Sequence, residues 1–91
     1  MNIALVGATG NVGRKTLEVL EKKKIFIDNL YLVASPKSAG KKIKFQEKEI
    51  EVYNLENFDF SKVNIAFFAA GGKISKKFAE KAAKYCLVID N

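Results

Sequence analysis

Three glycines at positions 7, 10 and 13, set between a short apolar run and a helical pattern, constrain this chain more than any other feature. Residues 3–6 (Ile-Ala-Leu-Val) are too few for a helix and are bounded by glycine, so they are predicted to form a strand buried on both faces. Gly7 then permits a tight turn. Gly10 leaves out a Cβ where a pyrophosphate can come against the backbone, and Gly13 lets the following helix pack close to the sheet. That helix is predicted to begin near Asn11, where unpaired N–H groups and the positive end of the dipole favour an anion. Strand, turn and helix together read as a nucleotide cradle.

The spacing is G-x-x-G-x-x-G, with Ala8 where the commoner dinucleotide fingerprint G-x-G-x-x-G has its first glycine. Several reductase and epimerase families share this variant, and a glycine-rich turn after any buried strand is the bland alternative. The position next to a predicted strand and helix favours the cradle.

A chain of 91 residues suits one small domain with a modest core. No apolar run approaches the roughly 18 residues of a membrane span. The beginning of the sequence has no signal-peptide pattern, and Cys86 is the single cysteine, so a cytoplasmic protein is expected, without a membrane partner. The net charge of +6 could suit nucleic acid, but the lysine clusters at 22–24, at 41, 42 and 44, and at 76 and 77 lack the interleaved aromatics of a single-strand binder. Solvated lysine faces with a bias toward anionic cofactors are expected, and no nucleic acid.

From Asn11 the helix is predicted to run to about Lys23, with Val12, Thr16, Val19 and Leu20 inward and Arg14, Lys15, Glu18 and Glu21 outward. The lysines at 22–24 suit its C-terminal dipole. Residues 29–34 (Asn-Leu-Tyr-Leu-Val-Ala) form the second strand, far enough from the first to require a parallel, right-handed crossover. An NAD site usually carries Asp or Glu at the end of this strand to bind the ribose 2′-hydroxyl. Residues 34–40 (Ala-Ser-Pro-Lys-Ser-Ala-Gly) hold no carboxylate. Ser35, Lys37 and Ser38 instead offer two hydroxyls and an ammonium for a 2′-phosphate, so NADP fits better than NAD. Ser35 lies 22 residues after Gly13, near the ~20 expected between fingerprint and ribose contact.

Residues 41–45 and 49–53 alternate apolar and polar side chains about a turn at 46–48, an antiparallel hairpin with one wet face. Residues 55–62 connect to a third parallel strand at 64–70, ending at Gly71-Gly72, where the chain can pass close to a cofactor. An Ala-rich helix at 75–85, with Phe78, Ala82 and Tyr85 inward, leads to a fourth parallel strand at 87–90. The expected class is α/β: a Rossmann-type three-layer fold, its sheet mostly parallel with an antiparallel hairpin.

Four segments in order, 6–13 (Val-Gly-Ala-Thr-Gly-Asn-Val-Gly), 34–40, 68–79 (Phe-Ala-Ala-Gly-Gly-Lys-Ile-Ser-Lys-Lys-Phe-Ala) and 88–91 (Val-Ile-Asp-Asn), resemble the N-terminal part of the aspartate-semialdehyde dehydrogenases. The first alone is also similar to acetylglutamyl-phosphate reductases and extended short-chain reductases. The resemblance implies that Thr9, Gly10, Asn11 and Val12 bind the pyrophosphate. It also implies that Ser35, Lys37 and Ser38 hold the 2′-phosphate, and that Ala70, Gly71 and Gly72 lie toward the nicotinamide. Lys37 departs from the family's usual arginine, replacing a bidentate fork with a point charge.

The parent reaction so implied is NADPH-dependent reductive dephosphorylation of aspartyl 4-phosphate, in the biosynthesis of lysine, threonine and methionine. A cysteine thiolate displaces phosphate, and a histidine acts as acid and base. Both catalytic residues come later in the family's chain, and this sequence contains no histidine. Cys86, with no base or cation around it, reads as a structural cysteine. The chain is therefore expected to be the NADP-binding part of such an enzyme, truncated before the catalytic and dimerisation domain, inactive alone and prone to self-association. A free-standing nucleotide-binding module and a basic nucleic-acid binder stay open as alternatives.

Overall fold

The computed structural model describes residues 1–23 and 26–90. Along the chain run β1 (Asn2–Val6), α1 (Asn11–Lys22), β2 (Asn29–Ala34), β3 (Lys42–Phe45), β4 (Lys48–Asn54), β5 (Ile65–Phe68), α2 (Gly72–Ala82) and β6 (Leu87–Asp90), with two 3-10 turns, Leu55–Asn57 and Phe60–Lys62, between β4 and β5. The strands form one sheet in the order β3-β4-β2-β1-β5-β6, parallel except for the β3–β4 hairpin. The predicted α/β class, the parallel strands and the hairpin are all present.

Apolar residues fill both faces of the central strands, so each face must be covered. Ala4, Val6, Val33, Ala66 and Phe68 point to one side, where Leu55, Phe58, Phe60, Val63 and Ala82 of the 3-10 segment and α2 pack on them. Leu5, Leu32 and Ala34 point to the other, against Leu17 and Leu20 of α1 and Phe45 and Val52 of the hairpin. This alternation produces three layers. The first face carries an aromatic ladder, Phe60 meeting Phe58 edge-on at 5.0 Å and stacking on Phe68 at 5.9 Å. Each such buried ring is worth about 1.5–3 kcal/mol in transfer from water.

At the N-terminal end of the sheet, side-chain amides tie the three central strands. The Asn2 N–H donates to Asn64 Oδ1 at 2.8 Å, and Asn29 Nδ2 donates to Asn2 Oδ1 at 3.1 Å. In the connection before β5, the Asp59 carboxylate accepts from Ser61 Oγ at 2.6 Å and from the Ser61 N–H at 3.0 Å. These bonds hold its pKa below the usual aspartate range.

Several expectations are corrected. In α1 the buried positions are Gly13, Leu17 and Leu20, whereas Val12 and Val19 are 45% and 49% exposed. The helix is rotated so that Gly13, with no side chain, makes the closest approach to the sheet. The hairpin turn is the pair Gln46-Glu47, at φ of 49° and 67°, and Lys48 already pairs with Phe45 in the ladder. β4 also joins the main sheet through β2. β5 is shorter than predicted, although the Asn64 and Ala69 N–H groups continue its bonding to Asn2 O and Val6 O, both at 2.8 Å. α2 begins and ends three residues earlier than predicted, which leaves Tyr85 in the following turn, 57% exposed. Lys24 and Asn91 lie outside the described residues.

Candidate nucleotide-binding site

The C-terminal ends of β1, β2 and β5 come together at one end of the sheet, because these three strands are adjacent and parallel. After β1 the chain turns at Gly7, whose φ of +87° is a conformation that side-chain-bearing residues rarely adopt. The Gly7 and Ala8 N–H groups donate to Val33 O at 2.8 and 3.3 Å, clamping this turn to the end of β2. A Cβ added at Gly7 would lie 2.8 Å from Ala70 N, so the turn also rests on the chain leaving β5.

Gly13 sits directly on the turn: an added Cβ would meet Gly7 O at 2.0 Å. At Gly10 the nearest atom to such a Cβ is Gly7 O at 3.5 Å, ordinary contact distance, so no group of the described residues fills the space in front of that residue. Gly10 is the N-cap of α1, with no side-chain cap and no acidic residue in the first turn. The opening N–H groups of α1 therefore keep their capacity for an anion. The open space at Gly10 and the uncapped helix start leave room for an anion here.

The loop after β2 folds back on itself, Ser38 N–H and Ala39 N–H donating to Ser35 O at 2.9 and 3.2 Å. Thr9 Oγ1 and Ser38 Oγ lie 3.2 Å apart, a hydrogen bond that links the glycine turn to this loop. Ser35 and Lys37 are exposed beside it. Gly71 caps α2 with φ −83° and ψ 171°, nearly the backbone angles of Gly10 before α1, and it too lacks a side-chain cap. Gly72 follows at φ +85°, and both glycines are exposed with open space where a Cβ would be. Thus Gly7, Thr9 and Gly13 are linked to Ser38 and Ala70, while Lys37, Gly71 and Gly72 border this end of the sheet without touching the others in the contacts described. Asn11 and Val12 face a shallow hollow on the outer side of α1, not the core that was expected for Val12.

Two features of this end carried no sequence signal. A groove of about 610 Å³ opens between Ser35 and Pro36 at the end of β2 and Lys77 and Lys81 of α2, floored by Leu55 and Phe78. Helical spacing alone could have placed Lys77 and Lys81 on one face, but not opposite Ser35. The second feature is Ser75, 3% exposed, whose Oγ has no hydrogen-bond partner among the described residues. Cys86 is partly buried, its thiol donating to Ala82 O at 3.4 Å, and burial pushes its pKa up. Among the described residues no three His, Cys, Asp or Glu side chains are placed to hold a metal ion, and no helix is long and apolar enough to cross a membrane.

Comparison with known proteins gives a consistent result. The family described as "Semialdehyde dehydrogenase, NAD binding domain" matches residues 2–91. An aspartate-semialdehyde dehydrogenase of Legionella pneumophila is 50% identical over 100% of this chain and 26% of its own length. One of Rickettsia bellii is 49% identical over 98% of this chain and 27% of its own length. A crystal structure of aspartate semialdehyde dehydrogenase II from Vibrio cholerae, complexed with ASA, superposes with a TM-score of 0.95 at 48% identity, covering 99% of this chain and 30% of that one. The chain thus spans about a quarter of the length of the curated relatives it matches.

Proposed function

The chain belongs to the semialdehyde dehydrogenase family, matching its NAD-binding domain, and from that membership we propose that it binds NADP(H) in preference to NAD(H). The observation that carries the preference is the loop after β2. Ser35, Lys37 and Ser38 offer hydroxyls and a positive charge, and residues 34–40 include no carboxylate to accept a ribose 2′-hydroxyl or repel a 2′-phosphate. The hydrogen bond between Thr9 and Ser38 supports it by holding this loop beside the glycine turn.

In this reading Gly7 shapes the turn and Gly13 seats α1 on it. Thr9, Gly10, Asn11 and Val12 receive the pyrophosphate at the helix N-terminus. Ala70, Gly71 and Gly72 border the nicotinamide, their lack of bulk leaving room for the ring. NADPH, when bound, supplies hydride. The parent activity we propose is that of an aspartate-semialdehyde dehydrogenase, reducing aspartyl 4-phosphate to the semialdehyde in amino-acid biosynthesis, in the cytoplasm. The 91 residues alone are expected to be inactive. They include no histidine, and Cys86 has a raised pKa and so presents little thiolate.

The hairpin lysines support a reading without nucleic acid, since Lys42 and Lys44 stand opposite Glu51 and Glu49 across the ladder and so form no uniformly basic face. Calorimetric titration tests the preference. NADP is expected to bind at least about tenfold more tightly than NAD, and Lys37→Ala to weaken NADP about five- to tenfold while leaving NAD unchanged. Equal affinity for the two nucleotides would remove the 2′-phosphate assignment.

A further inference from the structure

We propose that Lys77 and Lys81 are specificity-determining residues, which hold the 2′-phosphate of NADP from the side of the groove opposite Ser35; the inference rests on the nucleotide reading above. Four residues apart, they occupy one face of α2 and form one wall of the 610 Å³ groove. Ser35 belongs both to the opposite wall and to the loop where the ribose is expected.

Between the walls lie Leu55 and the Phe78 ring, an apolar floor that suits a flat purine. The Lys77 ammonium lies 5.9 Å from the centre of that ring, a cation–π distance that keeps its charge beside the groove. The residues that line the groove include two lysines and one glutamate, Glu56, which gives the lining a net positive charge. Its volume falls within the roughly 300–1,000 Å³ of small-molecule sites. Purine-binding floor, cationic wall and shared Ser35 select one occupant, the adenosine 2′-phosphate half of NADP. Lys37 is a point charge and cannot make the two parallel bonds of a guanidinium, so the α2 lysines supply the charge that a single lysine does not.

The test is titration at low ionic strength with NADP, NAD and adenosine 2′,5′-bisphosphate. The proteins are the wild-type chain, the double variant Lys77→Gln with Lys81→Gln, the matching double Arg variant, and Lys84→Gln as an exposed lysine beyond α2. The double Gln variant is expected to lose about tenfold for NADP and for the bisphosphate and less than about twofold for NAD. The Arg variant is expected to keep its affinity, and Lys84→Gln to match wild type. Unchanged NADP binding in the Gln variant, while Lys37→Ala weakens it, would overturn this proposal and leave the NADP reading standing. So would an equal loss for NADP and NAD, or a similar loss in Lys84→Gln. A wild-type chain with no preference for NADP would overturn both.

Discussion

At the scale of the residue, the three glycines of the first turn do different work, and the structure separates them. A Cβ at Gly13 would sit 2.0 Å from a backbone oxygen, so Gly13→Ala must push α1 off the sheet and is expected to cost about 3 kcal/mol, seen as a lower midpoint in denaturant. At Gly10 the nearest protein atom is 3.5 Å away and φ is −83°, values that a larger residue tolerates. Gly10→Val is therefore expected to keep most of the stability and to abolish binding of both nucleotides, because its branches occupy the space left for the pyrophosphate. Circular dichroism melts with calorimetry on the two variants check the contrast, and undiminished binding in Gly10→Val would show that the turn is not the cradle. The glycine spacing was legible in the sequence because each role needs the absence of a Cβ. Lys77, Lys81 and Ser75 were not legible, since an exposed lysine or a helical serine looks alike wherever the fold happens to place it.

At the scale of the element, β1, β2 and β6 were legible because short apolar runs between breakers leave few alternatives to strands. α1 was legible in its extent but not in its rotation. Hydropathy counts Val12 and Val19 as core and gives Gly13 no weight, whereas packing is set by how closely a backbone can approach. The start of α2 was hidden by two glycines, poor helix formers that here open the helix. The hairpin turn was legible in its place but not in its two-residue length, because Gln46 and Glu47 hold positive φ, which side chains of that kind disfavour by about 1–2 kcal/mol per residue. A two-residue turn of this hand favours Asn-Gly. Replacing Gln46-Glu47 by Asn-Gly is thus expected to stabilise the chain by about 1 kcal/mol, read as a raised thermal midpoint. The bond from the Gln46 N–H to Glu21 Oε2, at 3.3 Å, uses only backbone at position 46 and should survive the change. A lowered midpoint would contradict this account of the turn.

At the scale of the whole molecule, the two edges of the sheet differ. β3 presents Lys42 and Lys44, charges that discourage another strand from pairing there. β6 presents Leu87 and Ile89, 61% and 43% exposed on one face, beside the exposed Tyr85. We expect the purified 91-residue chain to self-associate through this edge, with a mass by light scattering that rises with concentration and falls to that of a monomer in Ile89→Lys. A wild-type chain that stays monomeric at high concentration would contradict it. The central claim, however, concerns the opposite ends of the inner strands, and nitrogen-15 NMR of the chain during titration with NADP tests it most directly. Saturable shifts are expected at the amides of residues 7–13, 35–40 and 69–72, together with the Lys77–Lys81 face of α2, while the hairpin tip and β6 stay unmoved. Shifts centred on the hairpin lysines, or none that saturate, would contradict the assignment of the C-terminal ends of β1, β2 and β5 as a nucleotide site.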